Sequence, residues 1–309
     1  MRTNVSQMAK EALEVRCEEF TRLVEETAQL LAKEDGLVGN FNVTGRLVKI
    51  KPFGEAIIVG DLHGDLESLI HILKETNVLH KVNQNNEAVL IFLGDYGDRG
   101  SYSAEVYHVV LRFKLLFPQQ VILMRGNHEG PEDLMASPHD LPMQFHARFG
   151  EKWSDAYSKI HELFKHLYNA VLVEKRYLMI HGGLPPQAKT IEDLAYAHNK
   201  HPKQRLLEDM LWSDPTEAIK GVCESPRGAG KLFGENITNE ALRRFNVKIL
   251  IRGHEPCRDG FKIDHRRKVL TLFSRKGPPY FNRYGAYLNV ELSAKFENAE
   301  QLLPFIHKF

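Results

Sequence analysis

Short apolar segments alternate with amphipathic segments over most of the chain. Six apolar runs have the length of buried strands: Ala56–Val59, Ala88–Leu93, Val121–Met124, Tyr177–Ile180, Ile249–Ile251 and Val269–Phe273. Between the first three runs, apolar residues recur at the spacing of one helix face: Leu66, Leu69, Ile70 and Leu73, then Val106, Val109, Val110, Phe113 and Phe117. The alternation predicts an α/β layered fold, with mixed or antiparallel sheet in the second half of the chain.

The segment before these runs predicts a helix followed by a hairpin. Residues 9–34 predict a single amphipathic helix, and Gly36 follows as its stop. Residues 37–54 combine alternating apolar positions with three glycines, which is typical of a hairpin. The helical stripe consists of Leu13, Cys17, Phe20, Val24 and Leu31.

Charge and composition exclude several classes of protein. The 309 residues include 41 Lys+Arg and 40 Asp+Glu, so the chain lacks the basic excess that supports nucleic-acid binding. No stretch approaches the ~18 uninterrupted apolar residues of a membrane span, and the first residues lack the apolar core of a secretory signal. Three widely spaced cysteines are typical of reduced thiols, which predicts a cytoplasmic protein.

Five of the predicted strands are followed by Asp, His or Asn beside glycine. The motifs are Gly60-Asp61-Leu62-His63-Gly64, Gly94-Asp95-Tyr96-Gly97-Asp98-Arg99-Gly100, Arg125-Gly126-Asn127-His128-Glu129, His181-Gly182-Gly183 and Arg252-Gly253-His254-Glu255. Ligands of open α/β sheets bind at the carboxyl ends of strands, where glycine permits sharp turns. Imidazole, carboxylate and carboxamide groups without thiolate suit Mn, Fe or Zn rather than a structural zinc site.

Each motif also has an ordinary structural interpretation. Asp61 with His63 before a helix is typical of a capping Asp beside a core histidine. His181-Gly-Gly and Asn127-His128 are compatible with simple turns. Their joint occurrence favours a metal site, because charged or imidazole groups that converge inside a fold are costly unless paired or metal-bound.

Seven separated motifs resemble those of the phosphoprotein phosphatase (PPP) family of Ser/Thr protein phosphatases, within the calcineurin-like metallophosphoesterases. They are GDLHG, GDYGDRG, RGNHE, HGG, WSDP, RGAG and IRGHE, and the resemblance covers about residues 20–290. It implies an α/β (α+β) fold in which helices flank a central β-sandwich, with a dinuclear metal site at the carboxyl ends of strands. It also implies a compact, prokaryotic or archaeal type of member without a regulatory tail.

The resemblance implies three segments within a single catalytic domain. Residues 1–54 are the N-terminal helix and hairpin packed on the core, residues 55–292 are the metallophosphoesterase core, and residues 293–309 are a short C-terminal segment. It further implies two divalent metal ions, with Mn2+ expected before Fe or Zn. The implied ligands are Asp61, His63 and Asp95 for one metal, and Asn127, His181 and His254 for the other, which Asp95 would also bridge.

By the same resemblance, the chain hydrolyses phosphoserine and phosphothreonine in proteins through in-line attack of a metal-bridging water or hydroxide. His128 would be the general acid for the leaving oxygen, and Asp98 would orient its imidazole. No covalent phosphoenzyme is implied. The implied phosphate-binding residues are Arg99, Asn127, Arg227 and Tyr280. The expected partners are phosphoprotein or phosphopeptide substrates; regulatory subunits are not predicted.

Two other functions are compatible with parts of the pattern. A nucleotide-directed metallophosphoesterase, such as a dinucleoside polyphosphatase or phosphodiesterase, is the alternative enzyme. Glu129 and the WSDP and RGAG motifs distinguish the chain from that group, whose members more often read Gly-Asn-His-Asp. An inactive phosphoprotein-binding scaffold is disfavoured because every implied ligand and His128 are present.

A few residues lie outside this scheme or depart from it. The segment Ser274–Tyr280 is two residues longer than its family counterpart, and its Arg275 and Lys276 either attract an acidic substrate or are simply solvated. Arg252 and Glu255 are expected to form supporting ion pairs, with Asp214 as a further supporting group. The other eleven histidines, His108 among them, are expected at the surface.

Overall fold

The computed structural model describes residues 4–84 and 87–309. Its strands are β1 (Gly36–Val38), β2 (Phe41–Thr44), β3 (Leu47–Ile50), β4 (Glu55–Val59), β5 (Val89–Phe92), β6 (Val121–Leu123), β7 (Ala170–Val173), β8 (Tyr177–Ile180), β9 (Asp214–Pro215), β10 (Val222–Glu224), β11 (Lys231–Phe233), β12 (Ile249–Arg252), β13 (Phe261–Asp264), β14 (Val269–Leu272), β15 (Ala286–Glu291) and β16 (Ile306–Lys308).

Its α-helices are α1 (Val5–Glu14), α2 (Cys17–Lys33), α3 (Leu66–Glu75), α4 (Val78–Gln84), α5 (Ser103–Leu116), α6 (Leu141–Phe149), α7 (Trp153–Phe164), α8 (Ile191–Ala195), α9 (Ala197–Lys200), α10 (Leu206–Trp212) and α11 (Glu235–Arg244). Short 3-10 helices lie at Glu132–Leu134, Gly150–Lys152 and Ala299–Phe305. The two helical stripes predicted between the first three strands lie on α3 and α5. The last residue of the second stripe, Phe117, directly follows α5.

Two sheets form the centre of the molecule. The larger one has the order β1-β2-β3-β7-β8-β12-β14-β13, and the smaller one has the order β16-β15-β4-β5-β6. The strands β4, β5 and β6 run parallel in the smaller sheet, as β8, β12 and β14 do in the larger one. Each predicted apolar run therefore lies on one of these six parallel strands, and the predicted mixed α/β architecture is confirmed.

The larger sheet is buried on both faces. Val171 and Val173 of β7 belong to the core that also contains the strands of the smaller sheet, whereas Ala170 and Leu172 belong to a second core with α8, α10 and α11. Successive side chains of a strand point to opposite faces. One face of the larger sheet therefore packs on the smaller sheet and the other on helices, which confirms the expected β-sandwich with flanking helices.

The predicted single helix over residues 9–34 is wrong. The chain is extended at Val15 and Arg16, which separate α1 from α2. Arg16 begins α2 as its N-cap, and the Glu19 side chain accepts a hydrogen bond from the Arg16 backbone N–H (3.3 Å). The break lets each helix bury its own apolar stripe. Ala12 of α1 and Cys17 of α2 are therefore both buried, although five positions separate them, whereas Leu13 is 51% exposed.

The segment after α2 is larger than the predicted hairpin. The strands β1, β2 and β3 form an antiparallel meander, and β3 then pairs in parallel with β7. The strands β7 and β15 were not predicted, and β15 lies antiparallel to β4 in the smaller sheet. Across residues 4–84 and 87–309, no helix has the length and apolar character needed to cross a membrane.

Candidate active site

Strand ends from both sheets deliver the motif residues to one place. The parallel strands β4, β5 and β6 end at the same sheet edge and are followed by Asp61, Asp95 and Asn127. In the larger sheet, β8 and β12 are parallel neighbours, and His181 and His254 follow them. The sequence therefore places five side chains on two adjacent edges because the strands that precede them are parallel.

Several of these residues have unusual backbone conformations. The φ angle is positive at His63 (42°), Asp95 (56°), Asp98 (70°), Arg99 (71°) and His254 (72°). Residues other than glycine seldom adopt the left-handed region, which costs them conformational free energy. Such residues cluster at functional sites, where surrounding contacts hold them in place.

The Glu129 side chain ties the loops after β5 and β6 together. This fully buried carboxylate accepts hydrogen bonds from the backbone N–H groups of Asp95 (2.8 Å), Tyr96 (3.0 Å) and Gly126 (3.0 Å), and from the Tyr107 hydroxyl (2.8 Å). A Cβ at position 126 would overlap the Asp95 Oδ1 atom, so glycine is needed there. Sequence reasoning used Glu129 only to distinguish families and missed this positioning role.

Asp95 lies between two groups of candidate ligands. Its Oδ2 atom is 3.4 Å from His63 Nε2, and its Oδ1 atom is 3.4 Å from His181 Nε2. The Asn127 Oδ1 atom is 3.0 Å from His181 Nε2 and 2.9 Å from His254 Nδ1. Within the described residues, three groups have the spacing to hold a metal ion: His63–Asp95–His128, Asp95–His181–His254 and Asp98–His128–His139. The first two share Asp95.

The hydrogen bonds of the imidazoles fit metal ligation. His63 Nδ1 is 3.1 Å from the Gly97 carbonyl, and His181 Nδ1 is 2.9 Å from the Leu93 carbonyl. A neutral imidazole that donates through Nδ1 carries a lone pair on Nε2. In both rings Nε2, the atom with this lone pair, lies 3.4 Å from a carboxylate oxygen of Asp95. Acceptor atoms that converge in a buried site need a cation between them, so the donor set fits divalent metals.

Electrostatics favour positive charge in the same place. Burial raises the pKa of Asp61 to about 7. The two oxygens of Asp61 accept a hydrogen bond from the His254 backbone N–H, at 3.0 and 3.1 Å. Burial also opposes the charged form of His181, but the Asp95 carboxylate outweighs it and raises the His181 pKa to about 9. The Asp61 Oδ2 atom is 3.8 Å from His63 Nε2. The buried carboxylates therefore favour positive charge between them.

His128 stands beside this cluster and is held through its backbone and through one ring nitrogen. Its backbone N–H donates to Asp95 Oδ1 (3.0 Å), and its Nδ1 is 2.6 Å from Asp98 Oδ2. Burial opposes protonation of His128, but the carboxylates of Asp95 and Asp98 raise its pKa above the usual value. Hydrogen bonds from His128 and its neighbours hold the pKa of Asp98 well below the usual range in spite of burial. The pair is therefore arranged as an imidazole with an ionised partner.

The site also contains a histidine that sequence reasoning missed. His139 Nδ1 is 2.8 Å from the same Asp98 Oδ2 atom, so the expected surface position is wrong for this residue. It is wrong as well for His108 and His265, which are buried. Sequence spacing offers no signal for His139, because it follows the motif of His128 at a distance set only by the intervening loop.

A cavity of about 270 Å³ lies over these groups. It is lined by His63, Asp95, Arg99, Asn127, His128, Ala136, Ser137, Trp212, Arg227, His254, Pro256 and Tyr280. Every implied catalytic and phosphate-binding residue except Asp98, which lies behind His128, reaches this lining. Among the implied metal ligands, Asp61 and His181 do not line it.

An ion-pair network supports Arg227 at the cavity wall. Arg227 Nε donates to Asp214 Oδ2 (2.6 Å). The fully buried Arg252 donates to Asp214 Oδ1 (2.8 Å) and to Glu255 Oε2 (2.6 Å). Arg252, Glu255 and Asp214 thus form the supporting ion pairs that the sequence predicts. Since Arg227 uses Nε for Asp214, its terminal nitrogens remain for a ligand in the cavity.

The loop that departs from the family pattern closes one side of the cavity. The Tyr280 ring lies 5.2 Å from the His63 ring. Both interpretations of Arg275 are wrong, because its buried guanidinium donates to the backbone carbonyls of His63 and Pro278. Arg275 therefore fastens the loop to the site, whereas Lys276 is exposed.

Comparison with known proteins identifies the family of this chain. Residues 56–258 match the calcineurin-like phosphoesterase family. A probable serine/threonine-protein phosphatase of Encephalitozoon cuniculi is 34% identical over 84% of this chain and 54% of its own length. A protein phosphatase 2A catalytic subunit of Dictyostelium discoideum is 32% identical over 78% of this chain and 74% of its own length.

Among solved structures, a Saccharomyces cerevisiae protein serine/threonine phosphatase described as similar to human PP5 has the same fold. It superposes with a TM-score of 0.75, covers 96% of this chain and 90% of its own, and is 24% identical. The chain spans about half the length of the Encephalitozoon relative. By the match over residues 56–258 and the Dictyostelium relative, the chain belongs to the calcineurin-like phosphoesterase family, in its phosphoprotein phosphatase branch.

Proposed function

We propose that this protein hydrolyses phosphoserine and phosphothreonine monoesters in proteins or peptides. The observation that carries the proposal is the His128–Asp98 pair (2.6 Å) beside the carboxylate and imidazole cluster around Asp95, with Arg99 and Arg227 lining the same cavity. Similarity to proteins named serine/threonine phosphatases supports this substrate class. The alternative, a nucleotide-directed phosphoesterase, has no comparable support.

The residues around Asp95 would hold two divalent cations. Asp61, His63 and Asp95 would bind one of them. Asn127, His181 and His254 would bind the second, with Asp95 shared between the two. Such cations polarise phosphoryl oxygens and lower the pKa of water. We propose Mn2+ for both positions, because nitrogen and oxygen donors without thiolate suit it; Fe and Zn suit the same donors.

The remaining residues act on the phosphate and the leaving group. Arg99 and Arg227 bind phosphate oxygens through planar guanidinium groups, together with the Asn127 carboxamide, and offset the charge that develops there. As water attacks phosphorus and the bond to the serine oxygen breaks, His128 Nε2 gives its proton to that oxygen. Asp98 keeps the Nδ1–H of His128 in place. Tyr280 covers the cavity beside the phosphate.

We further propose that the chain works as a single catalytic domain in the cytoplasm on phosphoprotein substrates. The three cysteines are free, and two of them are buried, which suits a reducing compartment. Burial raises the pKa of Cys257 to about 12, so its thiol is inert near neutral pH. The balanced charge of +1 argues against nucleic acid as substrate.

The function is tested by comparing a phosphoserine peptide, a phosphotyrosine peptide and diadenosine tetraphosphate as substrates. We expect the phosphoserine peptide to be preferred when Mn2+ is added, and a chelator to abolish hydrolysis. His128→Asn should lower kcat on this peptide by about 10²-fold or more, whereas His71→Ala on the exposed face of α3 should not. Preference for the dinucleotide would contradict the proposal. Metal analysis of protein purified without added metal identifies the native cations.

A further inference from the structure

The side chain of Asp98 accepts four hydrogen bonds while almost fully buried. Its Oδ1 atom accepts the backbone N–H groups of Asp140 (2.7 Å) and Leu141 (3.1 Å). Its Oδ2 atom lies 2.6 Å from His128 Nδ1 and 2.8 Å from His139 Nδ1. Each carboxylate oxygen thus has two donors, and every direction in which this carboxylate can accept is used. A group bonded in this way cannot rotate without losing a partner.

His139 is itself held from behind. Its Nε2 atom is 3.0 Å from the Tyr157 hydroxyl, and its side chain is 13% exposed. The Tyr157 ring packs against Trp153 at 6.1 Å and Phe145 at 6.4 Å. A tyrosine hydroxyl can donate or accept, so this bond forms with either protonation state of the imidazole. The hydrogen bonds therefore run from Tyr157 through His139 and Asp98 to His128.

The segment that carries His139 also contacts the phosphate-binding side of the cavity. The Asp140 Oδ1 atom accepts the Arg99 backbone N–H (2.8 Å), and the Ser137 carbonyl accepts Arg99 Nη2 (3.5 Å). Ser137 and Ala136 line the cavity directly. Residues 136–140 thus fix the backbone of Arg99 and the carboxylate of Asp98 at once.

We propose that His139 is a positioning residue for the proton donor His128, acting through Asp98 and held by Tyr157. Without His139, Asp98 Oδ2 keeps a single donor, and the carboxylate loses one of the four hydrogen bonds that fix its rotation about its last side-chain bond. His128 then loses the fixed direction of its Nε2–H toward the leaving oxygen. Hydrogen-bond chains of this kind strengthen each member, so loss of the outer donor also weakens the inner bond. This inference rests on the proposed function.

Leaving groups distinguish positioning of an acid from general stabilisation. A serine alkoxide leaves poorly unless protonated, whereas p-nitrophenolate leaves without a proton. For His139→Ala we expect kcat on a phosphoserine peptide to fall about tenfold with KM little changed, a part of the 10²–10⁴-fold that a general acid contributes. On p-nitrophenyl phosphate, kcat should change less than about twofold. Tyr157→Phe should lower kcat on the phosphoserine peptide about threefold and leave kcat on p-nitrophenyl phosphate nearly unchanged. The effect is smaller because this variant removes only the outermost hydrogen bond.

Two variants serve as controls. His139→Asn places a carboxamide N–H near the position of Nδ1 and should restore most of the kcat. His161→Ala removes an imidazole that packs on the same Tyr157 ring (6.0 Å) without reaching Asp98, and should leave both substrates unaffected. Bound metal and the melting temperature are measured for every variant. If His139→Ala does not fold, the Tyr157→Phe variant tests the positioning role instead. A fall of kcat on the phosphoserine peptide that is larger than the fall on p-nitrophenyl phosphate supports it, and equal changes overturn it.

The outcomes separate this inference from the proposed function. An equal loss on both substrates, or no loss on either, in a folded and metal-loaded His139→Ala protein would overturn the positioning role. A wild-type protein that hydrolyses no phosphoserine peptide with any added divalent metal would instead overturn the proposed function. A selective loss on the phosphoserine peptide that Asn rescues supports the positioning role.

Discussion

Two buried carboxylates beside the cavity hold different kinds of partner. Asp98 accepts hydrogen bonds from two imidazoles and two backbone N–H groups, and none of these donors carries a permanent charge. Asp214 instead binds the guanidinium groups of Arg227 and Arg252. Permanent cations neutralise Asp214, whereas the charge of Asp98 stays available to a group that gains and loses a proton. The first arrangement suits proton transfer, and the second suits stability and anion binding.

The largest effect is expected for Asp98→Asn. The amide can point an N–H at His128 Nδ1, which forces the wrong tautomer or breaks the bond. We expect kcat on a phosphoserine peptide to fall about 10²- to 10³-fold, measured at saturating substrate in metal-loaded protein. Asp214→Asn is the matched control and should affect KM and stability more than kcat. A similar fall of kcat in both variants would remove the distinction between the two carboxylates.

Arg252→Met tests the stabilising role of the Asp214 side. Arg252 is fully buried, and its removal leaves the Asp214 charge with Arg227 as its remaining close cation. The free energy of unfolding should fall by about 3 kcal/mol, measured by urea denaturation. Glu255→Gln removes the more exposed partner of Arg252 and should cost at most about 1 kcal/mol. Equal costs for the two variants would contradict this order.

Arg227→Ala tests whether the Asp214 side also binds substrate. Because Asp214 holds Arg227 by Nε, its terminal nitrogens are directed by the ion pair. KM for the phosphoserine peptide should rise about tenfold, which corresponds to about 1.4 kcal/mol. Arg227→Lys keeps the charge but loses the planar fork, and we expect it to recover only part of the affinity. An unchanged KM in Arg227→Ala would show that Arg227 does not bind the phosphate.

Asp209 offers a third carboxylate for comparison, and its effect on stability depends on pH. It is fully buried on α10, its Oδ2 atom has no hydrogen-bond partner among residues 4–84 and 87–309, and burial raises its pKa to about 7. Because the folded pKa exceeds the unfolded one, ionisation costs stability. This cost is absent below about pH 4, grows as the pH rises, and is complete above about pH 7.

Asp209→Asn should therefore stabilise the protein by up to about 4 kcal/mol at pH 8 and by nothing at pH 4. Urea denaturation at the two pH values measures the difference. Ser213→Ala is a useful companion variant, because the Ser213 hydroxyl is 3.5 Å from Asp209 Oδ1 and should matter little at either pH. A gain that is the same at both pH values would mean that Asp209 is already neutral at pH 8.

The parallel strands and the residues after them were accessible to sequence reasoning. Apolar runs bounded by glycine signal β4, β5, β6, β8 and β12 directly, because burial on both faces removes polar residues from them. The residues that follow converge for a topological reason, since parallel strands end at one edge. The strands β7 and β15 were missed because they depend on long-range pairing, β7 with β3 and β15 with β4.

Side chains that act from loops were harder to predict. His139 reaches Asp98 only because residues 131–140 fold back over the site, and no spacing along the chain encodes that return. Arg275 looks like a surface cation in sequence, yet carbonyl groups from two loops satisfy its guanidinium. The break between α1 and α2 is invisible in the stripe, because Cys17, Phe20 and Val24 continue at helical spacing.

The pairing of β4 with β15 has a consequence for the order in which the nascent chain acquires its site. The Asp61 carboxylate binds the His254 backbone 193 positions later, and the Gly60 N–H binds the Ser274 hydroxyl 214 positions later. During translation, β4, β5 and β6 therefore emerge with their carboxylates long before the residues that complete the site. We expect the carboxylate and imidazole cluster around Asp95 to assemble in one late step. A nascent chain should therefore bind metal only after β15 has been synthesised.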